Sequence, residues 1–294
     1  MTRNHIASAL ASFVLALAAA VPVHAAAPQP HPVALVKQPN GPIFVLTLEG
    51  AVLAVSMSLD RAQIVGRFSF PVTGYAADMA YGVVGGQQML FIGTTSSAAN
   101  GVLGSIFAFT TDGHLVKSWT IRHVIAGVAF DNASQTLYVS SGDSPELYSI
   151  APQSKAGPQF VASVPGSTHL GSMAIDDQRH TLYLCDVDQG AIFAMQKQPR
   201  SIVAIGRVTT PQALTLTPDN TALFIADSGR KQVVSLSLGP SKMPMRNFTP
   251  PYSFKTPSGL AYIDATHLAV ADQLDSSISL FDASGKKLYT LPIH

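Results

Sequence analysis

Cysteine is almost absent: Cys185 stands alone among 294 residues. An intramolecular disulfide is therefore impossible, and stability must come from packing. Cys185 follows Leu182-Tyr183-Leu184 and reads as a small buried hydrophobe on a strand, since no His partner or electropositive setting accompanies it. Charge is scarce as well. Asp, Glu, Lys and Arg make up 12% of the chain, about half the roughly 25% of ordinary globular proteins. The net charge is +1 with no run of Lys or Arg, which argues against a nucleic-acid surface or an anchor on acidic lipid. Several motifs are missing: a Gly-x-Ser-x-Gly elbow, His-Glu-x-x-His, paired Cys-x-x-Cys, a phosphate loop and a dinucleotide fingerprint. Their absence removes the serine-esterase, zincin, dithiol and nucleotide-dependent readings. No helical apolar period persists beyond residue 25, and no later run is long and apolar enough to span a membrane as a helix.

What is present begins with a separate N-terminal object. Arg3 and His5 form a short polar head, Ile6 to Val23 an Ala/Leu/Val-rich core, and Val23-His24-Ala25 small residues at the two positions a signal peptidase reads. Residues 1–25 are expected to be a secretory signal peptide. The mature chain is then expected in the periplasm or outside the cell, without a membrane span after cleavage.

The rest is a repeat. An apolar triplet of β-forming residues, aromatic at its centre in five of six copies, recurs as Ile43-Phe44-Val45, Leu90-Phe91-Ile92, Leu137-Tyr138-Val139, Leu182-Tyr183-Leu184, Leu223-Phe224-Ile225 and Leu268-Ala269-Val270. The spacings are 47, 47, 45, 41 and 45 residues, a period that suits a blade of four short strands. Upstream of each triplet lies a strand in which small residues alternate with large ones, as in Gly127-Val128-Ala129-Phe130 and Gly259-Leu260-Ala261-Tyr262. An innermost strand needs that pattern, because blades crowd at a propeller axis. A third strand begins ten residues downstream, as in Leu147-Tyr148-Ser149-Ile150, and a more variable fourth follows, as in Phe160-Val161-Ala162-Ser163. The pattern predicts an all-β fold over residues 26–294: a six-bladed β-propeller with four antiparallel strands per blade. The blades fall at roughly 33–76, 77–125, 126–170, 171–211, 212–257 and 258–294. The chain starts on an inner strand and finishes on an outer one, so the ring should close by face-to-face packing of its first and last blades.

With Pro211-Gln212-Ala213-Leu214-Thr215-Leu216-Thr217-Pro218-Asp219-Asn220, then Leu223-Phe224-Ile225-Ala226-Asp227-Ser228, the chain resembles the NHL-repeat and gluconolactonase-like six-bladed propellers. Pro257 to Tyr262 with Leu268 to Asp272 is a second such copy. The gluconolactonase resemblance implies one axial divalent cation, calcium or zinc. Its ligands would be an N-terminal Glu, an Asn in a Pro-Asn-Gly turn and an Asp ending a second strand. Asp227 matches the last, Gln212 stands in the place of the Asn, and residues 28–33 read Pro-Gln-Pro-His-Pro-Val where the Glu-Gly-Pro would be.

Strand starts at the axis and the ends of second strands are expected on one face, called here the top. The second-strand ends read Thr47, Thr94, Ser141, Asp186, Asp227 and Asp272. The three acids in adjacent blades either form an arc for a cation or polyol, or each caps its own turn. Asp78 stands where other blades carry Ala34, Gly127, Ser172, Ala213 and Gly259. A carboxylate there needs a partner or a metal, unless it caps a loop. Tyr75 and His169 precede two inner strands and would rim the same mouth, His169 as acid/base or ligand, or as a solvated loop residue. Thr94 to Ser105 is expected to be a mobile flap. Two functions follow. One is an exported, monomeric propeller that binds a small polar ligand or a partner protein through Tyr75, Asp78, His169 and Gln212, with Asp186, Asp227 and Asp272 as metal candidates. The other is a metal-dependent hydrolase of a sugar lactone or similar ester, with Asp78, Asp186, Asp227 and Gln212 around a cation that activates water.

Overall fold

The computed structural model describes residues 29–98, 101–198, 200–239, 245–250 and 252–293. The segment read as a signal peptide lies outside them. Among the described residues there are 24 strands and no helix, so none is long and apolar enough to cross a membrane. The strands form six sheets of four, each pairing antiparallel in sequence order. Blade one holds β1 (Pro32–Lys37), β2 (Ile43–Thr47), β3 (Ala51–Met57) and β4 (Ala62–Ser69). Blade two holds β5 (Tyr75–Val84), β6 (Gln87–Ala98), β7 (Gly101–Thr110) and β8 (Leu115–Ile121). Blade three holds β9 (Ile125–Asp131), β10 (Thr136–Ser141), β11 (Glu146–Ile150) and β12 (Gln159–Ser163). Blade four holds β13 (Leu170–Asp176), β14 (Thr181–Asp186), β15 (Ala191–Gln196) and β16 (Ser201–Arg207). Blade five holds β17 (Pro211–Leu216), β18 (Ala222–Asp227), β19 (Gln232–Ser237) and β20 (Arg246–Asn247). Blade six holds β21 (Pro257–Tyr262), β22 (Leu268–Asp272), β23 (Ser277–Phe281) and β24 (Lys287–Pro292).

The recurrent triplet is the second strand of each blade, and its period-two alternation builds the ring. Successive side chains point to opposite faces of a sheet. Leu137 and Val139 therefore pack against blade two, while Tyr138 packs against blade four. Ile43 and Val45 face blade six, while Phe44 faces blade two. The same division holds for Tyr183 and Phe224, each directed to the next blade while its flanking aliphatics face the preceding one. Six apolar clusters result, one per seam between blades.

Tight first hairpins fit this frame. Asp131 accepts the N–H groups of Ala133 and Ser134, and Asp176 those of Gln178 and Arg179. These turns then pass through Gln135 and His180 with φ near +54° and +53°, a left-handed conformation tolerable for one turn residue. The ring closes without strand exchange. Blade six packs on blade one through Ala261, Ala269, Ile278, Leu280, Leu53 and Val55. Ser258 Oγ donates to the Pro32 carbonyl at 2.7 Å, and the Tyr289 hydroxyl to that of Ser58 at 2.7 Å.

One expectation is corrected. Residues 94–98 and 101–105 are not a flap of irregular chain, since β6 and β7 continue through them as a ladder from Thr94↔Ser105 to Ala98↔Gly101. The Thr-Thr-Ser-Ser run is β-compatible, and Thr94 and Ser96 hydroxyls donate across it to Ser105 and Leu103 carbonyls.

Two stability effects are expected in chemical denaturation. Phe91→Ala, which deletes a fully buried ring stacked on Phe130 at 4.9 Å, should cost about 3–5 kcal/mol. Tyr289→Phe, at the closing seam, should cost about 0.5–1.5 kcal/mol.

Candidate functional site

Each first strand is hydrogen-bonded only on the side of its second strand. Its other edge bears no strand, so backbone N–H and C=O groups without a ladder partner surround the axis, some of them met by side chains, as Val128 N–H by Asp78 and Leu214 N–H by Ser172. They wall a cavity of about 430 Å³ lined by residues of all six first strands. The strand starts are crowded: a Cβ on Gly127 would lie 2.4 Å from the Gly171 carbonyl oxygen, and one on Gly259 would lie 3.0 Å from Leu35 N. The cavity begins at the level of Ala34, Asp78, Ser172 and Ala213 and widens toward the first hairpin turns, where Lys37, Tyr81, Asn132, Asp177, Asn220 and Tyr262 line it.

Asp78 is the carboxylate at the narrow end. A register shift between Ala76 and Asp78 sets its position. Oδ1 accepts Met79 N–H at 2.8 Å, and Oδ2 accepts Val128 N–H of blade three at 3.0 Å. Burial raises its pKa to about 7, and the two N–H donors offset only part of that rise. Cys185, buried nearby, is pushed up to about 12, mainly by burial and then by Asp78 and Asp186. A thiol held in that state is inert at neutral pH.

At the hairpin end Lys37 and Asp131 are engaged, whereas Asp177 Oδ1 is buried without a hydrogen-bond partner. Lys37 Nζ donates to the carbonyls of Gln38, at 2.9 Å, and Gly41, and burial lowers its pKa. Asp177 is raised to about 6 by burial and by the adjacent Asp131. Burial opposes ionisation of Asp131 too, but Lys197 at 2.5 Å and Ser134 at 2.6 Å outweigh it and hold that carboxylate below its usual range.

The other predicted residues do not line this cavity. Asp186 is fully buried, and its carboxylate accepts the Ser167 hydroxyl at 2.6 Å and the N–H groups of Thr168 and Gln189, each at 2.7 Å. Burial alone would raise its pKa, and these donors reverse the shift. Asp227 accepts Thr209, Thr210 and Arg230 N–H, and Asp272 accepts Lys255 and Thr256 N–H. Each acid ties the loop entering its blade to the end of the second strand, and Asp186 and Asp227 also cap the following turn. His169 Nδ1 pairs with Asp188. The Tyr75 phenol bonds to the Thr95 side chain, and burial raises its pKa. Gln212 is exposed at the start of β17. Among the described residues no three His, Cys, Asp or Glu side chains converge as metal ligands. The oxygens of Asp186, Asp227 and Asp272 accept N–H groups of the loops entering their own blades. Sequence reasoning missed Lys37, Tyr81, Asp177 and Tyr262. Their signal is that first strands begin with small residues and end with large ones, in step with a cavity that widens toward the hairpins.

Asp227→Ala should leave loop N–H groups of Thr209 and Thr210 without acceptors and cost about 1–3 kcal/mol in a urea melt. Asp78 carries a signed pH effect. Its folded pKa of about 7 exceeds the ordinary 3.8, so the folded state binds its proton more tightly and stability falls as pH rises between those values. Asp78→Asn lacks this loss. Its melting temperature should match wild type near pH 4 and exceed it at pH 8, by the equivalent of on the order of 1–3 kcal/mol.

No family model and no curated protein sequence matches the chain. Its fold does have solved counterparts. A chain of a nidogen–laminin complex superposes with a TM-score of 0.65 at 14% identity, over 90% of this chain and 93% of that one. A catalytically inactive variant of virginiamycin B lyase from Staphylococcus aureus, solved with quinupristin, gives 0.62 at 12% identity, over 90% and 85%. A streptogramin B lyase gives 0.62 at 9% identity, over 92% and 85%. At such identities the likeness is one of architecture: the chain is a six-bladed β-propeller built like the nidogen-type and virginiamycin B lyase propellers.

Proposed function

We propose that this protein is an exported binding propeller that holds a small polar ligand in its axial cavity, entered from the face of the first hairpin turns. The reading rests on one observation above all. A carboxylate, Asp78, stands at the narrow end of a cavity of about 430 Å³, inside the roughly 300–1,000 Å³ range of small-molecule sites. Burying a carboxyl among Ala, Gly and Ser at the same ring level has an energetic cost that packing alone does not require. The free strand edges supply further donors and acceptors along the walls. The sequence placed the binding face at the strand starts; the cavity lining, which includes residues of the first hairpin turns such as Asn132, Asp177 and Asn220, supports entry from the hairpin end.

The test is a thermal-shift screen of the mature chain against small sugars, amino acids and amines, followed by calorimetry. A true ligand at a hundred times its Kd should stabilise the fold by about 2.7 kcal/mol. Thr215→Trp, in a residue lining the cavity, should abolish that shift while leaving the β-sheet circular dichroism intact. Ligands that bind the Trp variant as well as wild type, or a screen with no ligand at all, would overturn the reading.

A further inference from the structure

We infer that the ligand carries a protonated primary amine, which Asp78 recognises. This rests on the axial cavity being the binding site. The charged groups lining it are Asp78, Asp177 and Lys37. Lys37 spends its ammonium on the Gln38 and Gly41 carbonyls of its own turn. Asp177, at the hairpin end, has a buried Oδ1 without a hydrogen-bond partner, but it lies beside the Asp131–Lys197 pair and shares the field of that ammonium. Asp78 has no such compensation: among the described residues its partners are the N–H groups of Met79 and Val128 and no cation.

Each Asp78 oxygen accepts one hydrogen bond, and an ionised carboxylate has about four lone-pair sites. Two acceptor positions therefore remain, on a half-buried group that lines the cavity. An anionic ligand would add repulsion there, and a neutral one would leave the carboxylate charge unmet. An ammonium supplies both the missing charge and three donors. One or two can meet Asp78, and the rest can meet carbonyl oxygens on the free edges of the first strands. Leu214 and Leu260 are buried in the seams on either side of blade five, and Tyr81 and Tyr262 line the cavity toward the hairpin turns. The class implied is a small primary amine, held ammonium-first, with Tyr81 and Tyr262 placed to meet an aromatic body.

A matched pair of probes tests this: 2-phenylethylamine and its neutral counterpart 2-phenylethanol, titrated calorimetrically into the mature chain. The amine should bind wild type at least about tenfold more tightly. Asp78→Asn should erase the preference while leaving the affinity for the alcohol unchanged, and Asp78→Ser gives the same comparison if the Asn variant folds poorly. Equal affinities, a preference for the alcohol, or an amine preference that survives loss of the carboxylate would overturn the inference. So would failure of both probes to bind wild type at millimolar concentration. Cavity binding survives that result if a neutral compound binds wild type and is lost in Thr215→Trp. If no compound in the screen binds, both readings fall.

Discussion

The whole ring depends on one alternation. In each second strand the central residue packs against the following blade and its two flanking residues against the preceding one. Because the side-chain period of a strand is two, a slip by one residue would send the aromatic and its neighbours to the wrong sides at once. That penalty fixes the register of the middle of every sheet. Fixed sheets then set the spacing of the first strands round the axis, and the axial cavity is what remains between six edges that have no strand left to pair with.

The fold was legible because this alternation is local and repeated. Leu137-Tyr138-Val139 announces a strand, its counterparts announce the period, and the small residues of Gly127 and Gly259 announce the axis. The site was less legible, for physical reasons that differ by residue. Asp78 could be found by comparing equivalent positions, since a carboxylate among Ala, Gly and Ser is conspicuous. Asp186, Asp227 and Asp272 look alike in sequence and suggest a shared purpose. Their partners are backbone N–H groups 16 to 18 residues earlier in the chain, and no residue-type pattern reveals a main-chain donor. The run from Thr94 has loop-like composition, yet its Thr and Ser hydroxyls bond across a ladder and continue the hairpin.

With so little charge in the chain, the placement of each carboxylate carries weight. Asp131 is kept ionised by Lys197, and Asp186 by a ring of N–H and O–H donors. Both are structural ties in which the charge is met within the protein. Asp78 has two backbone donors and no cation, and its ionisation is resisted by burial. The contrast separates the acids that hold the ring from Asp78, which lines its axis.

The seam between the sixth blade and the first has no strand pairing across it; it is held by packing, from Ile278 and Leu280 against Leu53 and Val55, and by the hydroxyls of Ser258 and Tyr289 on main-chain carbonyls. During synthesis, blade one is complete long before blade six emerges. Its outer flank therefore stays bare, an apolar wall waiting in the nascent chain for a partner more than 200 residues away in sequence. A split-ring intermediate of that kind is sticky, and the cell must carry it unassembled until the last sheet arrives to cover it.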